Sequence, residues 1–221
     1  MKLFFNALIK FTMGLVLVGV MLFLPAGGFH YFNGWLFIGL LFVPILILGA
    51  ILFCRSPELL QKRLASGEQE GTQRRVVAVS GLLFIAGFVV AGLDFRFGWS
   101  HMPAGVVIAA SVVLLIAYAL YAEVMRENAY LSRVVEVQEG QKVVDTGLYA
   151  VVRHPMYMAT VFLFLSIPIV LGSWWALLCF LPYVPVIAAR IKNEESVLCK
   201  NLEGYSDYQG RVRFKLIPFI W

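Results

Sequence analysis

An all-α, multi-pass membrane bundle of about six transmembrane helices, with a short C-terminal helical hairpin and a polar pocket on its cytoplasmic face, is the fold class this sequence predicts. Three observations predict it. The 221 residues are 61% hydrophobic and only 14% charged, outside the range of soluble globular chains. Apolar runs recur at Leu3 to Leu24, Gly34 to Phe53, Val76 to Leu93, Ala104 to Tyr121, Met156 to Leu171 and Trp174 to Ala189, each near the length that crosses a hydrocarbon core. The basic residues divide by side. With the amino terminus inside, Arg96 alone of the 18 Lys and Arg residues falls outside, as the positive-inside rule expects of six spans with both termini cytoplasmic.

The net charge of +5 therefore reports topology. It sits at helix ends and forms no basic surface interleaved with exposed aromatics, so no nucleic-acid partner is expected. Cys54, Cys179 and Cys199 are odd in number and lack a C-x-x-C pair, which argues for free thiols and against a disulfide framework or a metal site. The first run has signal-peptide features, with Lys10 early and Pro25-Ala26-Gly27-Gly28 after it, but its length favours a retained helix.

Taken in order, the first two runs form an antiparallel hairpin joined by a short loop. RSPELLQKRL from Arg55 reads as a short interfacial helix, with Ser56 as N-cap, Pro57 at the first helical position, and Leu59, Leu60 and Leu64 on one face against Lys62 and Arg63. Ser66 to Arg75 is a polar connection. The third and fourth runs are joined on the far side by a segment in which Asp94 and Arg96 are expected to pair at the interface. The fourth helix continues through Tyr121, Glu123, Met125, Arg126 and Glu127, and the chain then turns extended or irregular around Val134, Val135 and Val137, ending at Gly140. The last two runs turn tightly at Gly172-Ser173, and Pro168, Pro182 and Pro185 interrupt them. The chain reads as one domain, 1–221, with four N-terminal helices in 1–121 and a polar, ligand-binding region in 122–221.

Topology brings two polar segments to one membrane face. One is GQKVVDTGLYAVVRHPMY, from Gly140 to Tyr157; the other is the tail from Arg190. Ionisable clusters at the mouth of an apolar segment mark function by default. Arg153 by itself reads as a helix-end marker; the constellation of Tyr149, Arg153, His154 and Tyr157 with Glu194 and Glu195 does not. There is no G-x-G-x-x-G and no P-loop. Planar aromatics, an imidazole, guanidinium groups and carboxylates suit a ligand that combines a carboxylate, a ribose, a base and a cation, as S-adenosylmethionine does.

GLYAVVRHPMY, a short hairpin, RIKNEESVL and YSDYQGRVRFKLIP, in that order over roughly the last 90 residues, resemble the isoprenylcysteine carboxyl methyltransferase family and its bacterial relatives, which overlap in pattern with phospholipid methyltransferases. The resemblance implies a membrane S-adenosylmethionine-dependent methyltransferase acting on the carboxylate of an isoprenylcysteine-like or other lipophilic acceptor. It implies a cofactor site of Gln138, Gln141, Lys142, Val143, Val144, Tyr149, His154, Pro155, Met156, Tyr157 and Glu194, with Arg190 at the acceptor and Arg190 or Arg153 holding its carboxylate. Gln141 stands where the family often has His, and the loop before it is shorter than in the eukaryotic enzymes. A phospholipid N-methyltransferase, an NADPH-dependent reductase of the sterol type, which shares an R-H-P pattern, and a non-catalytic membrane protein are the alternatives. The expected setting is a bacterial inner membrane, with membrane lipid and a lipophilic or prenylated acceptor as partners.

Overall fold

The computed structural model describes residues 2–64, 71–131 and 137–221, apart from the side chains of 62, 63 and 71–74. The helices are α1 (Lys2–Ala26), α2 (Phe32–Arg55), α3 (Pro57–Leu64), α4 (Gly71–Phe97), α5 (Ala104–Glu127), α6 (Pro155–Val170), α7 (Trp174–Phe180), α8 (Tyr183–Asn201) and α9 (Tyr205–Arg211), with a 3-10 turn at Gly147–Ala150. Helices α1, α2, the Arg75–Phe97 part of α4, α5 and the α7–α8 segment are long and apolar enough to cross a membrane, and α6 is a shorter apolar helix. The chain is an integral multi-pass helical bundle. Its outer faces fit that setting: Met13, Val16 and Leu17 of α1 are each more than half exposed, a patch that a water-soluble monomer would not carry.

The bundle core is built from both ends of the sequence. Leu22, Phe23 and Ala26 of α1, Phe37 of α2, Phe88 and Ala91 of α4, Leu114 and Ala117 of α5, and Leu163 and Ile167 of α6 form one buried cluster with Ala176 and Phe180 of α7. Close approach replaces a hydrophobic driving force between helices in lipid. At Gly92 of α4 a Cβ would lie 2.6 Å from the Leu22 carbonyl oxygen, so α1 and α4 meet backbone to backbone there.

The prolines act unequally. Pro168 stays inside α6, and Pro185 falls in the first turn of α8, where a missing N–H costs little. Pro182 sits where the last apolar run breaks, between α7 and α8. The sequence did not single out Pro44 inside α2. Proline frees carbonyls in the preceding turn, and the Tyr118 hydroxyl of α5 donates to Leu41 O at 3.0 Å.

Ser56 does double duty between helices: its N–H closes α2 on Leu52 O (2.8 Å) and its carbonyl accepts from Leu60 N (3.1 Å) at the start of α3. Leu59 and Leu60 are buried, as the amphipathic reading expects. Leu59 packs with Val124, Met125, Leu131 and Tyr149, so α3 supports the polar end of the molecule. The connection over 65–70 and the stretch at Val134 and Val135 lie outside the described residues.

Asp94 and Arg96 do not pair as expected. Asp94 is 2% exposed and accepts from Ser100 N (2.7 Å), Ser100 Oγ (2.6 Å) and the Ser173 hydroxyl. Ser173 Oγ in turn accepts from Ala176 N (2.9 Å), capping α7. Arg96 instead lies over the Phe97 ring. Three neutral donors replace one ion pair, and they tie the α4–α5 loop to the α6–α7 turn at the end of the bundle away from the polar tail. Removing the acceptor strands buried donors. Asp94→Ala is expected to lower unfolding stability in detergent by about 2 to 3 kcal/mol, measured by thermal or denaturant melts, while leaving ligand binding at the opposite end unchanged.

Candidate functional site

Helix α8 carries two stripes. Tyr183, Ile187, Ile191 and Glu195, four residues apart, are buried along one face; Arg190, Glu194 and Leu198, also four apart, line a cleft on the adjacent face. The cleft is completed by Asn128, Tyr130 and Leu131 after α5, by 141–144, by Tyr149, by Arg153 to Tyr157, and by Leu202, Tyr205 and Tyr208. It encloses about 840 Å³ of empty space, its open mouth included.

Each wall has a local cause. Pro155 occupies the first turn of α6, and proline bars the preceding residue from the helical region. His154 is accordingly held outside the helical region (φ −126°, ψ 62°), which turns its main chain toward the tail. Arg153 N donates to Phe214 O and His154 N to Lys215 O, both at 2.9 Å. The 3-10 turn is held by α5: Glu127 accepts from Leu148 N at 3.1 Å. Asn128 Nδ2 donates to Tyr149 Oη (2.9 Å), and Tyr208 Oη donates to Tyr149 O (2.7 Å). Gln138 and Gln141 close the loop on each other through Gln138 N to Gln141 Oε1 (2.9 Å) and Gln141 N to Gln138 O (3.1 Å). The following strip, 142–144, makes no main-chain hydrogen bond among the described residues, leaving its N–H and C=O groups open to a ligand or to solvent.

Behind the cleft lies a buried ionic node. Glu195 Oε1 takes Arg153 Nε at 2.8 Å and lies 3.2 Å from His154 Nε2, while Oε2 takes Lys215 Nζ at 2.6 Å. The Arg153 and Glu195 side chains are each 9% exposed. Arg153 Nη1 also donates to Val212 O (3.0 Å) and Gln209 O (3.3 Å), carbonyls at the C-terminal end of α9, where a cation is favoured. The surface pair Arg211–Asp145 (2.8 Å) links α9 to the strip from outside and contributes little by comparison. In front of the node, Arg190 Nε donates to Tyr157 Oη (2.8 Å), and Tyr157 Oη donates to Glu194 Oε2. His154 Nδ1 stands 3.9 Å from Glu194 Oε1.

The structure thus gathers Gln141, Lys142, Val143, Val144, Tyr149, Arg153, His154, Pro155, Met156, Tyr157, Arg190 and Glu194 around one cleft. Gln138 is not among the lining residues; its Nε2 donates to Tyr130 O at 2.6 Å, one layer back. Arg153 lines the cleft but is engaged by Glu195 and the end of α9, as a tie between loop and tail. Arg190 and Glu194 are joined through the Tyr157 hydroxyl, which accepts from the first and donates to the second. The sequence reading missed Glu195 as an ionic centre, Lys215 as its partner, and Tyr205 and Tyr208 as walls. The four-residue spacing from Tyr183 through Ile187 and Ile191 to Glu195 was the available signal for the first. The others lie in the tail motif YSDYQGRVRFKLIP, which marked the segment but not their individual roles.

With that geometry in view, comparison with known proteins adds one finding. A multi-pass helical bundle with a polar cleft at one end is the class that the fold and site define. The sequence model of the phospholipid methyltransferase family matches residues 99–203, from the loop before α5 to the end of α8. The matched segment contains the RHPMY turn, Arg190 and both glutamates, and stops short of α9 and the tail. No curated protein matches the chain.

Gly147 offers a test of the wall. It has φ +50°, and a Cβ there would lie 1.4 Å from Glu127 Oε1, so a side chain both strains the backbone and displaces the carboxylate that holds Leu148 N–H. Gly147→Ala is expected to cost about 1 to 3 kcal/mol of stability. Gly210→Ala, where nothing lies within 4 Å, should leave the melting curve within about 0.5 kcal/mol of the unsubstituted protein.

Proposed function

We propose that the protein is a membrane S-adenosylmethionine-dependent methyltransferase acting on a lipophilic acceptor, with 122–221 as its cofactor-binding and catalytic region. The observation that carries this reading is the convergence of the RHPMY turn, the 141–144 strip and Glu194 on one cleft, within or beside the segment similar to phospholipid methyltransferases. An NADPH-dependent reductase gains no such support.

The cleft's chemistry fits the cofactor. Glu194 Oε1 is a partly exposed acceptor suited to ribose hydroxyls, and Tyr157 holds its other oxygen. The open main-chain groups of 142–144 suit the amide-like edges and carboxylate of a nucleoside amino acid. Tyrosine faces attract a sulfonium. When bound, S-adenosylmethionine supplies an electrophilic methyl group. The chain's own part is positioning, which accounts for most of what a methyl transfer needs from its enzyme. Arg190, hydrogen-bonded to Tyr157 Oη and lying 5.8 Å from its ring centroid, is placed to hold the acceptor where the apolar stripe of α8 meets the cleft. If the acceptor is a carboxylate, Arg190 neutralises it and no base is required. The match to phospholipid methyltransferases favours a second reading, an amine headgroup, for which Glu194 is the acceptor of the departing proton.

The purified protein in detergent should bind S-adenosylhomocysteine in a calorimeter and not NADPH. Glu194→Gln should weaken that binding by about ten- to a hundredfold, the worth of a hydrogen bond to a charged group. Methyl label transferred to membrane extract should be released by mild base as the ester reading requires; label that resists base would assign the amine reading, and saturable NADPH binding without any response to the homocysteine analogue would end both.

A further inference from the structure

Five tyrosines line the cleft, and the hydroxyls of four have partners in the protein. Tyr130 Oη donates to Gly140 O (3.1 Å), Tyr149 Oη accepts from Asn128, Tyr157 Oη lies between Arg190 and Glu194, and Tyr208 Oη donates to Tyr149 O. Tyr205 is the exception. It is 4% exposed, and among the described residues its Oη is the one buried side-chain polar atom with no hydrogen-bond partner. The contrast with Tyr208 is informative because both rings sit on α9, 5.7 Å apart, in one cluster with Val143, Leu198, Leu202 and Val212. One of two neighbouring phenols finds a partner within the protein and the other does not.

A stranded hydroxyl is a standing cost, and phenylalanine would fill the same space without it. Unsatisfied groups in an otherwise consistent structure are expected where function needs them. We propose that the Tyr205 hydroxyl is a ligand contact, a hydrogen-bond partner for the methyl donor in the filled cleft; this rests on the methyl-donor reading of the same site. The hydroxyl stands at the acidic wall: its pKa is raised first by burial and then by the charges of Glu195 and Glu194. It therefore stays a neutral phenol, able to donate to a ligand oxygen or nitrogen or to accept from a ligand N–H. Tyr205 lies beyond the 99–203 segment that matches the methyltransferase family, so this contact comes from the tail. The tail thereby becomes a wall of the binding site as well as a strap across it.

The test pairs affinity with stability of the empty protein. Tyr205→Phe removes one oxygen and leaves the ring. Its affinity for S-adenosylhomocysteine, by calorimetry in detergent, should fall about three- to tenfold, while the melting temperature of the ligand-free variant stays the same or rises. Tyr208→Phe, which breaks the bond to Tyr149 O, should melt lower without ligand. Unchanged affinity in Tyr205→Phe overturns the proposal, and so does a lower melting temperature of its empty form, which would mean the hydroxyl already has a partner. If the unsubstituted protein fails to bind S-adenosylhomocysteine at all, the methyl-donor reading falls first and this inference with it.

Discussion

One carboxylate, that of Glu195, organises the polar end of this protein. It takes Arg153 on one oxygen and Lys215 on the other, with the His154 ring against the first. The three cationic or imidazole groups come from the turn before α6 and from the tail, segments about 60 residues apart in sequence. An arrangement of this kind is not primarily a source of stability, since desolvating charges offsets most of the attraction between them. Its value is geometric. Removing the Glu195 carboxylate leaves the buried Arg153 without its counter-charge, so the loop and the tail are favoured in one relative placement. The backbone pairs from Arg153 to Phe214 and from His154 to Lys215 extend the same junction.

The cleft follows from that junction and from the period of α8. A helix that buries Tyr183, Ile187 and Ile191 must turn Glu195 the same way and Arg190, Glu194 and Leu198 to the neighbouring face. The node therefore sits behind the cleft wall, and His154 is the side chain that faces both sides. His154 faces Glu195 with one ring nitrogen and Glu194 with the other. The membrane bundle supplies the rest by bringing α6 and α8 to one face. The far-end tie at Asp94 holds the turn between α6 and α7.

The bundle was legible because hydrophobicity and charge sidedness are properties of whole segments. Six apolar runs and the extension of α5 past the bilayer could be read directly, and so could the buried face of α3. What escaped were pairings, which depend on distances that no local pattern encodes. Asp94 and Arg96 are two residues apart and look like an interfacial pair, yet Asp94 turns inward to Ser100, six residues on, and to Ser173 in the distant turn between α6 and α7. Within the site, Tyr149, Arg153, His154 and Tyr157 were readable as a set because Gly140 to Tyr157 is dense in polar and aromatic groups, whereas the 141–144 strip and Arg190 came only with the family resemblance. Gln138 stands one layer behind the lining, bound to Tyr130 O, a depth that sequence does not give. Arg153, read together with Arg190 as a candidate anchor for the acceptor, lines the cleft while its guanidinium is engaged by Glu195 and the end of α9. Lys215 and Tyr205 lie in a tail motif that the sequence did single out, but their roles were not readable because the tail's fold is dictated by what it docks against.

Hydrogen exchange at the Arg153 and His154 amides in the detergent-solubilised protein tests the central claim most directly, because both donate to tail carbonyls whose placement the node is held to fix. Both should be slow to exchange in the unsubstituted protein. In Glu195→Gln they should exchange much faster, together with amides of 212–217, while those of α4 and α5 within the bundle keep their protection. Unchanged protection of Arg153 and His154 in Glu195→Gln would show that the loop and tail hold together without the carboxylate, contradicting the account.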